Sequence, residues 1–209
     1  MTGADRAGDE KDSWTRDADP HDGTVPHLDV AALEAGLDHI RASPADRGTV
    51  QLIVCRPAVD QRAVLAEGSL QADEGLAGDT WKARGSRQTP DGSALPDAML
   101  TVMNARAALL VAGDAGRRML AGDQLYVDLD LSVANLPPGT RLALGSAVIE
   151  VTAQPHRGCA KFAARFGIDA LRFVNSRTGR ALRLRGLNAR IVTSGTVRPG
   201  DVISKLTPG

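Results

Sequence analysis

From Thr49 onward the apolar positions fall in short runs with the period-two spacing of strands. Thr49-Val-Gln-Leu-Ile-Val-Cys55 reads as a buried strand closed by Arg56-Pro57, and Met99-Leu-Thr-Val-Met-Asn104 as another. Gln124–Ser132 alternates apolar and polar residues, as a half-buried strand does. Arg141–Leu144 and Ala147–Thr152 flank Gly145-Ser146, a glycine-led pair that predicts a type II′ hairpin. Leu187–Thr193 and Asp201–Lys205 supply the last strands. Helical spacing is confined to short stretches. Asp29 can cap a helix from Val30, with Leu33, Leu37 and Ile40 on one face and Pro44 beyond its end. Arg106–Ala112, Ala160–Phe166 and Asp169–Asn175 read as further short helices.

Many short strands, tight turns and few helices predict a mainly β fold with short helices (α+β). The expected form is a β-barrel or folded-over sheet with small helices at its ends. Gly122-Asp123 and Gly200-Asp201 each precede a strand and read as turns. Residues 1–26, polar and acidic without apolar periodicity, are expected to form a disordered tail. Residues 27–47 follow as a helix and linker, and residues 48–206 as the domain.

Charge changes this picture. The net charge is zero, but residues 1–79 carry 7 basic and 16 acidic side chains, and residues 80–209 carry 18 and 9. Between Pro155 and Arg198 stand Arg157, Lys161, Arg165, Arg172, Arg177, Arg180, Arg183, Arg185, Arg190 and Arg198, against Asp169 alone. Guanidinium groups suit bidentate recognition of phosphate or carboxylate, so an anion site is expected there. No run approaches the roughly 20 apolar residues that cross a bilayer, so no membrane association is expected and the cytoplasm is the expected compartment. Phe162, Phe166 and Phe173 have helical spacing and read as core, which disfavours a nucleic-acid surface.

The densest chemistry lies in Gln154-Pro-His-Arg-Gly-Cys-Ala-Lys-Phe162. A strand ends, Pro155 breaks it, Gly158 permits a sharp turn, and Cys159 opens a helix. The helix start and the neighbouring His156, Arg157 and Lys161 favour a thiolate, the form that attacks sulfur or binds a metal. Cys55, in a run of Val, Leu and Ile, reads instead as an inert core thiol. Two isolated cysteines make neither a disulfide framework nor a zinc site. Nucleotide loops of the GxxxxGK[ST] and GxGxxG types are absent.

The segment Pro155–Phe162, together with Arg165–Leu171, Val174–Ser176, Leu184–Arg190 and Val197–Asp201, resembles the MOSC domain. That domain forms the C-terminus of molybdenum cofactor sulfurases and also occurs as stand-alone bacterial proteins. Glu74–Asp79 with Trp81, Thr101–Asn104 and Gly122–Leu125 extend the likeness to roughly residues 48–206. The resemblance implies a MOSC-type β-barrel with a pocket for the molybdenum cofactor (molybdopterin), a pyranopterin bearing a phosphate. It implies Cys159 as metal ligand or sulfur carrier, with His156 beside it in the chemistry. Arg157, Lys161, Arg183, Arg185, Arg190, Asn104 and Asn188 are the expected cofactor contacts. Pyridoxal phosphate belongs to a separate domain of the sulfurases and is not expected here. Stand-alone members that reduce N-hydroxylated bases carry a histidine-glycine-glycine segment. Here residues 81–96 contain no histidine, so that substrate preference does not transfer.

Three functions are therefore expected in descending order. One is a molybdenum-dependent oxidoreductase acting on a small-molecule substrate with an electron-donor protein. The next is a metal-free carrier that passes a Cys159 persulfide between donor and acceptor proteins. The last is a non-catalytic anion-binding module.

Overall fold

The computed structural model describes residues 26–206, so the acidic tail expected over residues 1–26 lies, but for Pro26, outside the described residues. The chain begins with α1 (Val30–Ala35) and α2 (Leu37–Arg41), then β1 (Arg47–Cys55). Three short strands follow, β2 (Ala63–Val64), β3 (Gly68–Gln71) and β4 (Gly75–Leu76), then α3 (Trp81–Arg84). Next come β5 (Leu100–Asn104), α4 (Ala105–Ala112), β6 (Leu125–Asp128), β7 (Arg141–Leu144) and β8 (Ala147–Val151). The last third holds α5 (Ala160–Phe166), α6 (Ile168–Asn175), α7 (Arg177–Ala181), β9 (Leu187–Thr193), β10 (Gly195–Val197) and β11 (Val202–Lys205).

The strand order is β11-β7-β8-β9-β5-β6-β1, and β1 pairs again with β11, which closes a seven-strand barrel. Only β5 and β6 run parallel among these described pairs. β2 extends from β1, and β10, β3 and β4 form a small separate sheet. Alternation sorts the side chains. Leu142, Leu144, Ala147, Ile149, Val151, Ala189 and Ile191 join one apolar cluster, which fills the barrel. Val54, Met103 and Tyr126 turn outward on β1, β5 and β6 and join Leu33, Ile40, Phe162, Phe166 and Phe173 in a second cluster. Short helices thus pack on the outside of three adjacent strands. Gly48 lets β1 pass β6 closely, since a Cβ there would lie 1.9 Å from the Asp128 carbonyl oxygen.

The hairpin at Gly145-Ser146 forms as expected. Gly145 has φ 55° and Ser146 has no positive φ, the pattern of a II′ turn. Two expectations need correction. The single helix from Val30 breaks at Gly36, a poor helix former, although Asp29 does cap its start by accepting from Ala32 N at 2.8 Å. The strand expected over Gln124–Ser132 ends at Asp128 and is not half-buried. Leu125 and Val127 face the barrel interior while Tyr126 is fully buried under the helices. Beyond it the chain leaves the ladder, with Asp130 N bonded to the Pro44 carbonyl and the Asp130 carboxylate accepting from Ser132 N.

Candidate functional site

The chemistry gathers around the short strand β5, where four neighbouring strand ends come together. β1 ends where antiparallel β6 begins, with Ile53 opposite Leu125. β8 ends where antiparallel β9 is beginning, with Val151 opposite Ala189. β5 runs parallel to β6 and antiparallel to β9. Arg56 therefore leaves β1 and Gly122-Asp123 enters β6 at one end of the short β5, while Arg185 enters β9 and the Cys159 segment leaves β8 at its other end. The long Arg185 side chain spans the gap to Asp123. Thr152 N bonds the Asn188 carbonyl at 3.0 Å and Asn188 Nδ2 donates to the Gln154 carbonyl at 3.1 Å. These bonds keep the outgoing chain on the ladder as far as Gln154. A reciprocal pair between Gly158 and the Asn175 side chain, both bonds 3.1 Å, then sets the turn into α5.

Cys159 caps the start of α5 in an extended conformation (φ −127°, ψ −179°), and its side chain is exposed. It opens onto a cleft of about 280 Å³ lined by Arg56, Arg62, Arg84, Lys161, Arg165 and Arg185, with Asp60 as its acid. Some of these cations are held in place by other groups. Arg56 makes a two-pronged contact with buried Asp79 (Nε and Nη2, each 2.8 Å), and its Nη1 donates to the Gly122 carbonyl at 3.2 Å. Arg165 reaches the Leu120 carbonyl at 2.9 Å and Asp60 at 3.1 Å, and Lys161 reaches Asp60 at 3.0 Å. That contact with Lys161, followed by the charges of Lys161 and Arg165, holds the Asp60 carboxyl below its ordinary value. Arg62 and Arg84 pair with no acid among the described residues. Arg62 Nε is buried without a partner, and burial, then Arg165 and Arg56, pulls this guanidinium below its ordinary value.

Beneath this cleft lies a buried group of three. Arg185 Nη1 donates to Asp123 Oδ2 at 2.5 Å, its Nη2 donates to the Ala121 carbonyl at 2.9 Å, and its guanidinium sits 5.1 Å from the Phe162 ring centre. His156 Nε2 stands 3.0 Å from Asp123 Oδ1, although neither atom makes a directed hydrogen bond. Burial works to raise the Asp123 carboxyl, but Arg185 and His156 outweigh it and hold the group below its ordinary value. Burial, then Arg185, pulls His156 down, with Asp123 opposing.

Of the residues singled out in the sequence, Cys159, Lys161 and Arg185 meet at this cleft. His156, Arg157 and Arg183 line a second cleft, and Arg185 is common to both. Asn104 and Asn188 lie in the protein and not on either cleft. Asn104 caps α4, accepting from Arg106 N and Ala107 N at 2.9 Å and donating to Ser43 Oγ and the Leu129 carbonyl. Arg190 turns outward on β9 and pairs with Glu150. Arg56, Arg62 and Arg84 were not singled out as site residues, and Arg165 only as one of the cationic run between Pro155 and Arg198. The first three lie far from Cys159 in the chain, and only the closing of the barrel brings them beside it. Cys55 packs in the barrel cluster, where burial and then Asp79 push its thiol up. No group of three His, Cys, Asp or Glu among the described residues could hold a metal ion. No helix among them is long and apolar enough to cross a membrane.

A closed barrel of this form, with an exposed cysteine on a cationic cleft, points to the class. The family model of the MOSC domain matches residues 77–204, and the chain belongs to the MOSC domain family. Solved structures agree on the fold. A crystal structure of a hypothetical protein superposes with a TM-score of 0.55 at 22% identity, covering 81% of this chain and 72% of that one. YiiM from Escherichia coli gives 0.51 at 22% identity, covering 78% and 71%. The YuaD protein from Bacillus subtilis gives 0.53 at 14%, covering 78% and 97%. Among curated proteins none matches the sequence.

Proposed function

We propose that this MOSC-domain protein binds the molybdenum cofactor in the Cys159 cleft and acts as a molybdenum-dependent oxidoreductase, with Cys159 as the protein ligand to the metal. One observation carries the reading: an exposed thiol opens on a cleft lined by six cationic side chains and one acid. The residues fit such a group. A soft thiolate suits a metal that brings most of its own ligands on an organic anion. Arg62, with a buried Nε that nothing satisfies, and Arg84 offer the charge that a pterin phosphate needs.

When bound, the cofactor supplies a metal centre that exchanges electrons with the substrate. The protein's own part is placement and electrostatics. The Gly158–Asn175 contacts set the position of the Cys159 thiol. Arg56, clamped by Asp79, presents a rigid wall whose charge the aspartate offsets. Asp60 holds Lys161 and Arg165 until an incoming anion takes its place. His156 acts from beneath, as a positioning residue for Asp123 and Arg185. The exposed Cys159 thiol also suits the second reading, a persulfide carrier that hands sulfur to another protein.

Metal and pterin content of protein made in a cofactor-producing host tests the choice. Near-stoichiometric molybdenum and pterin in the wild type, with the metal lost in Cys159→Ala, is the expected result. Metal-free protein with cyanide-labile sulfur on Cys159 would replace the oxidoreductase with the carrier. A Cys159→Ala protein unchanged in metal, pterin and sulfur would refute both.

A further inference from the structure

The second cleft is separate from the Cys159 cleft in all its lining except Arg185. It measures about 220 Å³, and none of the described residues that line it is acidic. Its lining arginines are Arg157, from the turn before α5, and Arg180, Arg183 and Arg185, from α7 and the stretch that links it to β9. The guanidinium groups of exposed Arg157 and Arg180 pair with no carboxylate among the described residues. Arg183 is anchored through Nη1 alone, to the Leu136 carbonyl at 2.6 Å and the Leu131 carbonyl at 3.4 Å, which leaves its other donors unused. It also has φ 49°, an uncommon conformation for a residue with a Cβ, and that marks a position held by its surroundings. At the base, Arg185 is only 9% exposed in its side chain, and its Nε is buried with no partner. His156 closes one wall and, lowered by burial and Arg185, adds no charge of its own at neutral pH.

Arg157, Arg180 and Arg183 make no ion pair among the described residues and leave a positive potential in a confined space. Beneath them, Asp123 offsets the charge of Arg185. Arg141 and Arg190, by contrast, share the carboxylate of Glu150. At about 220 Å³ this is the smaller of the two clefts, which suits a compact occupant. The unpaired forks of Arg157 and Arg180 on one cleft favour a dianion over a single carboxylate. From this arrangement we infer that the cleft formed by Arg157, Arg180, Arg183 and Arg185 is a binding site for a phosphate monoester, distinct from the Cys159 thiol site.

The test uses isothermal titration with inorganic phosphate and phenyl phosphate on protein free of cofactor. Arg62→Ala/Arg84→Ala removes the unpaired charges of the Cys159 cleft, and this variant is expected to bind one phosphate per chain. Adding Arg157→Ala/Arg180→Ala removes two charge-assisted contacts and is expected to weaken binding about a hundredfold. Arg157→Lys/Arg180→Lys, which keeps charge but loses the fork, falls between the two. Unchanged affinity after losing Arg157 and Arg180, or no phosphate binding by the Arg62→Ala/Arg84→Ala protein at millimolar concentration, overturns the inference.

A parallel titration of molybdenum-loaded protein separates two sources of the same chemistry. Undiminished phosphate uptake assigns the cleft to an independent phosphorylated ligand. Blocked uptake, with pterin lost in Arg157→Ala/Arg180→Ala, assigns it to the phosphate of the cofactor itself. Protein that takes up no molybdenum in a cofactor-producing host but still binds phosphate here would sink the proposed oxidoreductase and leave this inference standing.

Discussion

Replacing Asp123 by alanine removes the acid that holds Arg185 in place. Asp123 is fully buried, and the Arg185 side chain is 9% exposed and 2.5 Å from it, so water cannot take over the lost contact. Breaking a buried pair from one side costs about 3–5 kcal/mol, because a charge is left without compensation. Arg185 keeps its bond to the Ala121 carbonyl at 2.9 Å and its place over Phe162, which points to the lower end, about 3 kcal/mol. For a domain of this size that corresponds to a fall in Tm of roughly 6–12 °C. Urea unfolding at pH 7, followed by circular dichroism, reads the change as a lower midpoint at constant slope. Arg185→Met and the double variant Asp123→Ala/Arg185→Met complete a cycle. The double variant recovers stability relative to Asp123→Ala, because the orphaned charge is gone. A loss below about 1 kcal/mol in Asp123→Ala, or additive effects in the cycle, would refute the pairing argument.

Three further outcomes are expected. Stability falls as pH drops below about 6.5, because an unfolded histidine takes up a proton there while buried His156, with its lowered value, does not. Asp123 adds stability that is complete above the ordinary carboxylate range and is lost only as pH falls through its lowered folded value. Unfolding midpoints measured from pH 7.5 down to 5 in wild type and His156→Asn check the first part, and an equal slope in the variant would refute it. Asn104→Ala loses both α4 cap bonds and the bonds to Ser43 and Leu129, for about 2–3 kcal/mol by urea unfolding, with molybdenum content unchanged once folded. Gly145→Ala puts a Cβ at φ 55° and 2.1 Å from the Thr196 carbonyl oxygen, so thermal unfolding is expected to show a loss of about 2 kcal/mol or more.

Most barrel strands are legible because alternation and turn residues are local signals. Leu187–Thr193 and Ala160–Phe166 have the bounds that the pattern predicts. The same alternation marks Arg190 as outward-facing, since Ala189 beside it points into the barrel, yet a charge count along the chain treats both alike. Asn104 directly precedes the helix Ala105–Ala112, which is the signature of a cap rather than of a ligand contact. What the sequence hides is set by long-range closure. Arg56, Arg62 and Arg84 lie in or beside the acidic half, and averaging charge over that half conceals them. Gly122-Asp123 shows in sequence as a turn, and nothing local reveals that its carboxylate is fully buried against an arginine 62 residues away.

The cations around these clefts are of two kinds. Gly78-Asp79 and Gly122-Asp123 are both turns with a positive-φ glycine, and each delivers a buried aspartate to one arginine, Arg56 or Arg185. Those two arginines are neutralised by the fold, so their removal is felt first as lost stability. Arg62 and Arg84 at one cleft, and Arg157 and Arg180 at the other, have no acid partner among the described residues. Their charge is available to a ligand, and Arg84, Arg157 and Arg180 are exposed enough that alanine there alters the fold little. Binding and stability therefore separate by residue at these clefts. Arg185 is the exception, since it is paired to Asp123 and also lines both clefts, and an anion bound in either one alters the electrostatic balance of the same buried pair.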